Sequence, residues 1–308
     1  MNAAVRAVVR TAAYHGLESY GIYRGYEGMI NGRIRPIATR DVGNIIQRGG
    51  TILKTARSLR FKTDEGRKMA FDNLQEVGID ALVAIGGDGT FTGADIFSKE
   101  YNIPIVGLPG TIDNDIFGTD YTIGFDTAIN TAIEAVDKIR DTADSHSRLF
   151  FVEVMGRHSG YIALHTGIGS GAGCIFLPEY DTPIDELVDV LKKANDRDKK
   201  FNMVIVAEGN GSGNAMQIAE RLTEKYDGYE SKVTILGHMQ RGGAPSCHDR
   251  VLASRLGYHA VEVLLKGHKN VALGIVNDEL CMTPFKEAIS QAKKPKNSML
   301  EMARILSM

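Results

Sequence analysis

Apolar residues fall in short runs that alternate with amphipathic stretches along almost the whole chain. Asn2 to His15 carries Ala3, Ala4, Ala7, Val8, Ala12 and Ala13 at helical spacing and is stopped by Gly16, which predicts a helix. Ser19–Tyr23 reads as a short strand and Asp41–Gln47 as a helix closed by Gly49 and Gly50. Asp64–Val77 reads as a helix with an acidic first turn and Gly78 behind it. Two apolar runs, Ala81–Ile85 and Ile103–Leu108, predict buried strands with a helix over Thr92–Lys99 between them. Further on, the pattern predicts helices over Phe125–Asp141, Tyr161–Ile168, Ile184–Asn195, Ala215–Tyr226 and Asp249–Leu265. Strands are expected over Leu149–Met155, Cys174–Leu177, Met203–Ala207, Val233–Leu236 and Val271–Val276. Such β-α-β alternation predicts an α/β fold of two doubly wound lobes, with mainly parallel sheets and a catalytic cleft between them.

Composition narrows the function classes. With 308 residues, 43% of them hydrophobic, the chain can bury one large core or two ordinary ones. A formal net charge of -2 gives no footprint for nucleic acid or an anionic membrane. No apolar run approaches the roughly 18 residues of a membrane helix, and no signal peptide opens the sequence. Cys174, Cys247 and Cys281 are scattered without a CxxC pair, which fits a reducing cytoplasm rather than a disulfide framework or zinc site.

The candidate chemistry sits where two predicted strands end. Gly86-Gly87-Asp88-Gly89-Thr90 follows the first, and glycines there let backbone N–H groups close around an anion. Alone, this pentapeptide suggests a nucleotide phosphate and recurs in NAD kinases and diacylglycerol kinases, so it does not name the acceptor. Pro109-Gly110-Thr111-Ile112-Asp113-Asn114-Asp115 follows the second and carries two carboxylates two positions apart. Acidic groups of this kind hold Mg²⁺ or take a proton. There is no GxxxxGK[ST] in the chain.

With these two loops, four further segments complete a pattern: Met1-Asn-Ala-Ala4, Gln47-Arg-Gly-Gly-Thr51, Val154-Met-Gly-Arg157 and Leu236-Gly-His-Met-Gln-Arg-Gly-Gly243. In this order they closely resemble the bacterial ATP-dependent 6-phosphofructokinases, over the whole chain. The resemblance implies transfer of a phosphoryl group from ATP, with Mg²⁺, to the 1-hydroxyl of fructose 6-phosphate. Asp113 matches the base, and an ordinary Asp pKa of about 3.9 makes it a weak one. Positioning and charge stabilisation dominate such a loose transition state. Asp88 matches the carboxylate that acts through the metal. Asp115 matches a second carboxylate near the metal and the hydroxyl. Thr111, Arg57 and Arg157 match groups that meet the transferring phosphoryl.

By the same resemblance, Tyr26, Arg57, the Ser58–Lys62 segment, Gly87, Asp88, Gly89 and Thr90 belong near the nucleotide. Arg148, Met155, Gly156, Arg157, Glu208, Lys232, His238 and Arg241 belong to the sugar phosphate. Arg148 and Lys232 would come from a neighbouring subunit, which implies a homo-oligomer, a tetramer in this family. Lys232 stands where an Arg is usual and loses the bidentate fork. Gly89 and Gly110 leave room for the α-phosphate of ATP, where pyrophosphate users carry Asp and Lys. An ADP or phosphoenolpyruvate effector site would draw on Arg6, Arg10, Arg140, Gly171, Arg197 and Lys199. Thr39 and Gly173 replace the family's usual Arg and Glu there. The implied lobes are 1–124 with 238–290 for the nucleotide, and 125–237 with 291–308 for the sugar phosphate.

The family opens with a strand and a Gly-Gly-Asp-x-Pro-Gly loop before Met-Asn-Ala-Ala, whereas this sequence begins at that Met. The expectation is a weaker nucleotide site, unpaired strand backbone and an exposed Ala-rich helix face. A second reading therefore stays open, a weakly active or non-catalytic sugar-phosphate-binding, regulatory subunit.

Overall fold

The computed structural model describes residues 1–143, 148–196 and 201–307. In chain order the elements are α1 (Asn2–Tyr14), β1 (Tyr20–Ile22), α2 (Gly25–Ile30), β2 (Ile34–Pro36), α3 (Asp64–Val77), β3 (Leu82–Gly86), α4 (Asp88–Tyr101) and β4 (Ile105–Pro109). There follow α5 (Phe125–Ala143), β5 (Arg148–Val154), α6 (Tyr161–Ser170), β6 (Cys174–Phe176), α7 (Ile184–Asp196), β7 (Phe201–Ala207), α8 (Ala215–Lys225) and β8 (Glu230–Ile235). The chain ends with α9 (Cys247–Leu265), β9 (Val271–Val276), β10 (Glu279–Pro284), α10 (Phe285–Ser290) and α11 (Asn297–Leu306). The fold is α/β with mainly parallel sheets.

These elements form two units. The first comprises Met1–Thr111, Ile116–Gly124 and Ala244–Ala292. Its sheet runs β10-β9-β4-β3, parallel except for the β9–β10 hairpin. Every residue of β4 is buried, and its side chains alternate between two cores. Ile105 meets Leu74, Phe91, Phe97 and Phe285 on one side. Val106 and Leu108 meet Leu252, Leu256 and Leu273 on the other. The second unit comprises Ile112–Asp115, Phe125–Gly243 and Lys293–Met308. Its sheet, β6-β7-β5-β8, is wholly parallel. Leu149, Phe151, Val204 and Val206 pack there on Leu187, Leu191, Ile218 and Leu222 of α7 and α8. Gly237–Arg241 forms a 3-10 turn in this unit, and the Gln240 side chain accepts a 2.8 Å bond from the Met155 backbone.

Several expectations change. Asp41–Gln47 is a series of turns rather than a helix: Asp41 accepts the Ala38 N–H, and Asn44 has φ 53°, outside the right-handed helix. The apparent periodicity comes from Val42 and Ile45, which are buried against Val5 and Val9 of α1. Helix α4 begins at Asp88, four residues before the expected Thr92, because Gly87 is already its N-cap and Phe91, Ala94 and Phe97 carry the buried stripe. Strand β10 was not foreseen, although Asn277 and Asp278, at φ 50° and 67°, are a two-residue hairpin signal.

The Ala-rich face of α1 is also not exposed. Ala3, Ala4, Ala7 and Ala12 are buried, and a Cβ on Gly257 of α9 would lie 2.7 Å from the Ala4 carbonyl, so the two helices touch at backbone distance. What lies open is β3, which among the described residues pairs only with β4. A groove of about 760 Å³ borders it, lined by Val5, Val9, Ala12, Ile22 and Ile85 among others.

One buried charge anchors the first unit. The Arg67 guanidinium bonds both oxygens of Glu100, at 2.6 and 2.7 Å, as well as Asp64 and the Phe61 and Lys62 carbonyls. Arg67→Met is expected to lower stability by about 3 kcal/mol, the low end for a broken buried pair, because Glu100 keeps partial access to water. Urea unfolding of the purified variant measures it.

Candidate active site

The parallel sheet of the second unit brings three segments together at its carboxyl edge: Met155-Gly156-Arg157 after β5, Glu208 after β7 and the 3-10 turn after β8. Ligands bind at such an edge because loops from adjacent strands converge there. Glu208 pins the first of these loops. Its Oε1 accepts from the Gly156 N–H at 3.2 Å and the Arg157 N–H at 2.7 Å. The arrangement requires glycine at 209, since a Cβ there would lie 1.7 Å from the Arg157 carbonyl oxygen. Arg157 itself has φ 53°, a left-handed conformation that costs a non-glycine residue about 1 kcal/mol or more and is held here by its surroundings.

Asp113 belongs to the same cluster. Its carboxylate is 3% exposed, and its Oδ2 lies 3.6 Å from Arg157 Nε. Its carbonyl accepts a 2.6 Å bond from the Ser159 hydroxyl. Burial pushes the Asp113 pKa up, and the Asp115 charge adds to this, while Arg157 and Arg241 pull it back. The ordinary carboxylate value assumed from sequence is therefore too low: Asp113 is a stronger base than a solvated Asp. Burial also raises Asp115, with Arg157 and Lys293 opposing it. Asp115 Oδ1 is buried without a hydrogen-bond partner, a carboxylate oxygen open to a hydroxyl or a hard cation.

In the first unit, β3 feeds directly into α4. Gly87 is the N-cap and offers no side-chain cap, so the first N–H groups of the helix, starting at Asp88, have no capping side chain. Asp88 and Gly89 are exposed there. A Cβ at Gly89 would meet nothing within 4 Å, whereas one at Gly110 would stand 3.1 Å from Ile85 Cγ2. The Thr90 carbonyl accepts from the buried Tyr26 hydroxyl, whose ring stacks on Phe61 at 4.0 Å. Thr111 is held through its carbonyl by Thr122 Oγ1 at 2.7 Å. Arg57 is exposed. Ser58 donates to Glu27 at 2.6 Å, so its hydroxyl is engaged within the unit.

A family model described as Phosphofructokinase matches residues 1–264. The chain belongs to the phosphofructokinase family. It is 53% identical to the ATP-dependent 6-phosphofructokinase 2 of Bacteroides thetaiotaomicron, across 100% of this chain and 94% of the relative. It is 52% identical to the ATP-dependent 6-phosphofructokinase of Bacillus subtilis, across 100% of this chain and 95% of the relative. A structure of phosphofructokinase from Saccharomyces cerevisiae superposes with a TM-score of 0.90 at 40% identity, covering 99% of this chain but only 45% of the yeast chain. A pyrophosphate-dependent phosphofructokinase from Marinobacter aquaeolei shares the fold, with a TM-score of 0.83 at 22% identity over 96% of this chain and 82% of its own.

The remaining candidate residues divide. Met155 and Gly156 lie on the Arg157 loop, and His238 and Arg241 on the 3-10 turn. Arg148 lies at the opposite, amino end of β5, roughly 20 Å away at about 3.3 Å per residue, and Lys232 lies in the first half of β8, level with Phe150 and roughly 10 Å from the carboxyl edge. Both pair there with Glu230. Among the effector candidates, Arg6 and Arg10 are on α1 of the first unit. Arg140 donates to the Ser170 carbonyl at the end of α6, and Gly171 caps that helix at φ 62°. Arg197 and Lys199 lie outside the described residues.

Among the described residues no group of three or more His, Cys, Asp or Glu side chains could hold a metal. Asp88 in the first unit and Asp115 in the second, with its unpartnered Oδ1, are each the kind of hard oxygen donor that Mg²⁺ takes, and kinase sites add substrate phosphates to few protein carboxylates. Sequence reasoning missed Ser159 and Lys293, which bond the 113–115 loop, and Gln240, which bonds the Met155 backbone. Ser159 stands two residues after Arg157 and Gln240 inside the Leu236–Gly243 motif, whereas Lys293 carried no nearby signal.

Proposed function

We propose that this chain catalyses phosphorylation of D-fructose 6-phosphate by ATP to fructose 1,6-bisphosphate and ADP, a step of glycolysis. The observation that carries this reading is the buried Asp113 carboxylate beside Arg157, on loops converging with Glu208 and Arg241. Asp113 accepts the proton of the 1-hydroxyl as its oxygen attacks the γ-phosphorus and the bond to ADP breaks. Its raised pKa makes it a better acceptor than a solvated Asp, and Arg157 meets the charge developing on the transferring phosphoryl. Thr111 and Arg57 assist at that group, and Asp115 orients the hydroxyl. Glu208, Met155, His238 and Arg241 hold the sugar phosphate.

Gly87, Asp88, Gly89 and Thr90 hold the ATP phosphates at the N-terminus of α4, with Tyr26, Arg57 and Ser58 nearby. Asp88 would hold Mg²⁺, which would supply charge neutralisation on the nucleotide phosphates. The location of Arg148 and Lys232 supports a homo-oligomer, a tetramer, in which they serve a neighbour's sugar phosphate. Arg6, Arg10, Arg140 and Gly171 are offered to an ADP or phosphoenolpyruvate effector. A cytoplasmic location goes with this reading. No described helix is long and apolar enough to cross a membrane.

Purified protein with ATP, Mg²⁺ and fructose 6-phosphate is expected to form ADP and the bisphosphate in equal amounts. Absence of product would sink the assignment. The empty space at Gly89 gives a donor test. Gly89→Asp should put a carboxylate where ATP phosphate binds and lower kcat/KM for ATP at least tenfold. Its KM for fructose 6-phosphate should hardly move. Unchanged ATP use by this variant would refute the donor site.

A further inference from the structure

We propose that Lys293 is a positioning residue that clamps the Asp113–Asp115 loop from the C-terminal segment; this rests on the catalytic reading of that loop. Asn114 lies between the two carboxylates, is 1% exposed and has φ 52°. Asn tolerates the left-handed region better than most residues, but the conformation is not its resting state, and something must hold it. Lys293 donates from Nζ to Asn114 Oδ1 at 2.8 Å.

The lysine is itself held. Its Nζ stands 5.1 Å from the centroid of the Tyr161 ring, within cation–π range. The Tyr161 hydroxyl donates to the carbonyl of the next residue, Lys294, at 2.9 Å. Tyr180 then bonds the Pro295 carbonyl at 3.2 Å and Asn297 Oδ1 at 2.9 Å. Two tyrosines thus hold residues 293–297 by backbone and side chain, and the half-buried ammonium of Lys293 points to the amide between the two acids. Packing alone would be served by an apolar residue here. A partly desolvated ammonium is costly unless its charge and its hydrogen bond are used. Here the hydrogen bond is used on the loop, where it fixes Asn114 between the two acids.

The test compares Lys293→Met, Lys293→Arg, Asn114→Ala and the Met/Ala double variant of the full chain. Steady-state rates with ATP and fructose 6-phosphate are combined with hydrogen exchange at the 113–116 amides. Lys293→Met is expected to speed that exchange and to lower kcat about 10- to 100-fold, the scale of a misplacement near 1 Å. Both KM values should stay within about threefold. Lys293→Arg keeps a donor and a cation and should recover most of the rate. The double variant should be no slower than the slower single one, because both changes break the same contact. Unchanged exchange in Lys293→Met overturns the clamp, and so do unchanged kcat, multiplying losses in the double variant or a failed Arg rescue. A wild-type protein without turnover would defeat the kinase reading instead, and the exchange measurement would still decide whether Lys293 holds the loop.

Discussion

Asp113→Asn is expected to lower kcat by roughly 10²–10⁴-fold, the range for losing a general base, with little change in either KM. The substitution keeps the shape of a side chain that is 3% exposed, so the loop should remain folded. The Ser159 bond goes to the backbone carbonyl and survives. What is lost is the acceptor for the hydroxyl proton and a negative charge beside Arg157. Circular dichroism and the denaturation midpoint should match wild type while turnover collapses. A variant that retained its rate would show that the proton leaves by another route.

Arg157 carries the second large effect. Arg157→Gln is expected to cost on the order of 10³-fold in kcat/KM, the lower part of the range for a guanidinium that stabilises a transferring phosphoryl group. It should also change the pH profile, with a sign fixed by the charges. In the proposed reaction Asp113 works as the carboxylate, so activity should fall on the acid side as it takes up a proton. Burial raises its pKa and Arg157 lowers it. Removing the cation lets the pKa rise further, and the acid limb of kcat/KM moves to higher pH. Arg157→Lys keeps the charge but loses the planar fork, so its acid limb should stay near that of wild type while part of the rate is lost. If Gln left the limb in place, Arg157 would not be setting the ionisation of Asp113.

Much of the architecture was legible because its signals are local. The apolar runs at Ile103–Leu108 and Met203–Ala207 have the length and composition of buried parallel strands, and each lies within two residues of an observed one. Thr63, which caps α3 through the Gly66 N–H, and Gly78 bracket a helix whose ends were correctly read. Reading failed where a tertiary contact replaced a local rule. Val42 and Ile45 mimic a helix because α1 buries both. Helix α4 starts early because a glycine at the strand end becomes its cap, and the Gly87–Gly89 segment reads equally as a loop.

The site divides in the same way. Asp113, Asp115, Arg157, Glu208 and Arg241 were named from compact motifs, and the structure brings Arg157, Glu208 and Arg241 around Asp113. The upward shift of Asp113 was invisible, since it depends on burial and on charges from other loops. The separation of Arg148 and Lys232 from the rest follows from strand direction and length, which become fixed only once the sheet order is known.

The contact between Lys293 and Asn114 spans 179 residues, and this has a consequence for the timing of synthesis. At about 5–20 residues per second a ribosome needs roughly 9–36 s to travel from one to the other. A nascent chain therefore carries both carboxylates for that interval before Lys293 exists to hold their loop. Until that lysine is made, the loop has its two acids but not the ammonium that bonds the amide between them.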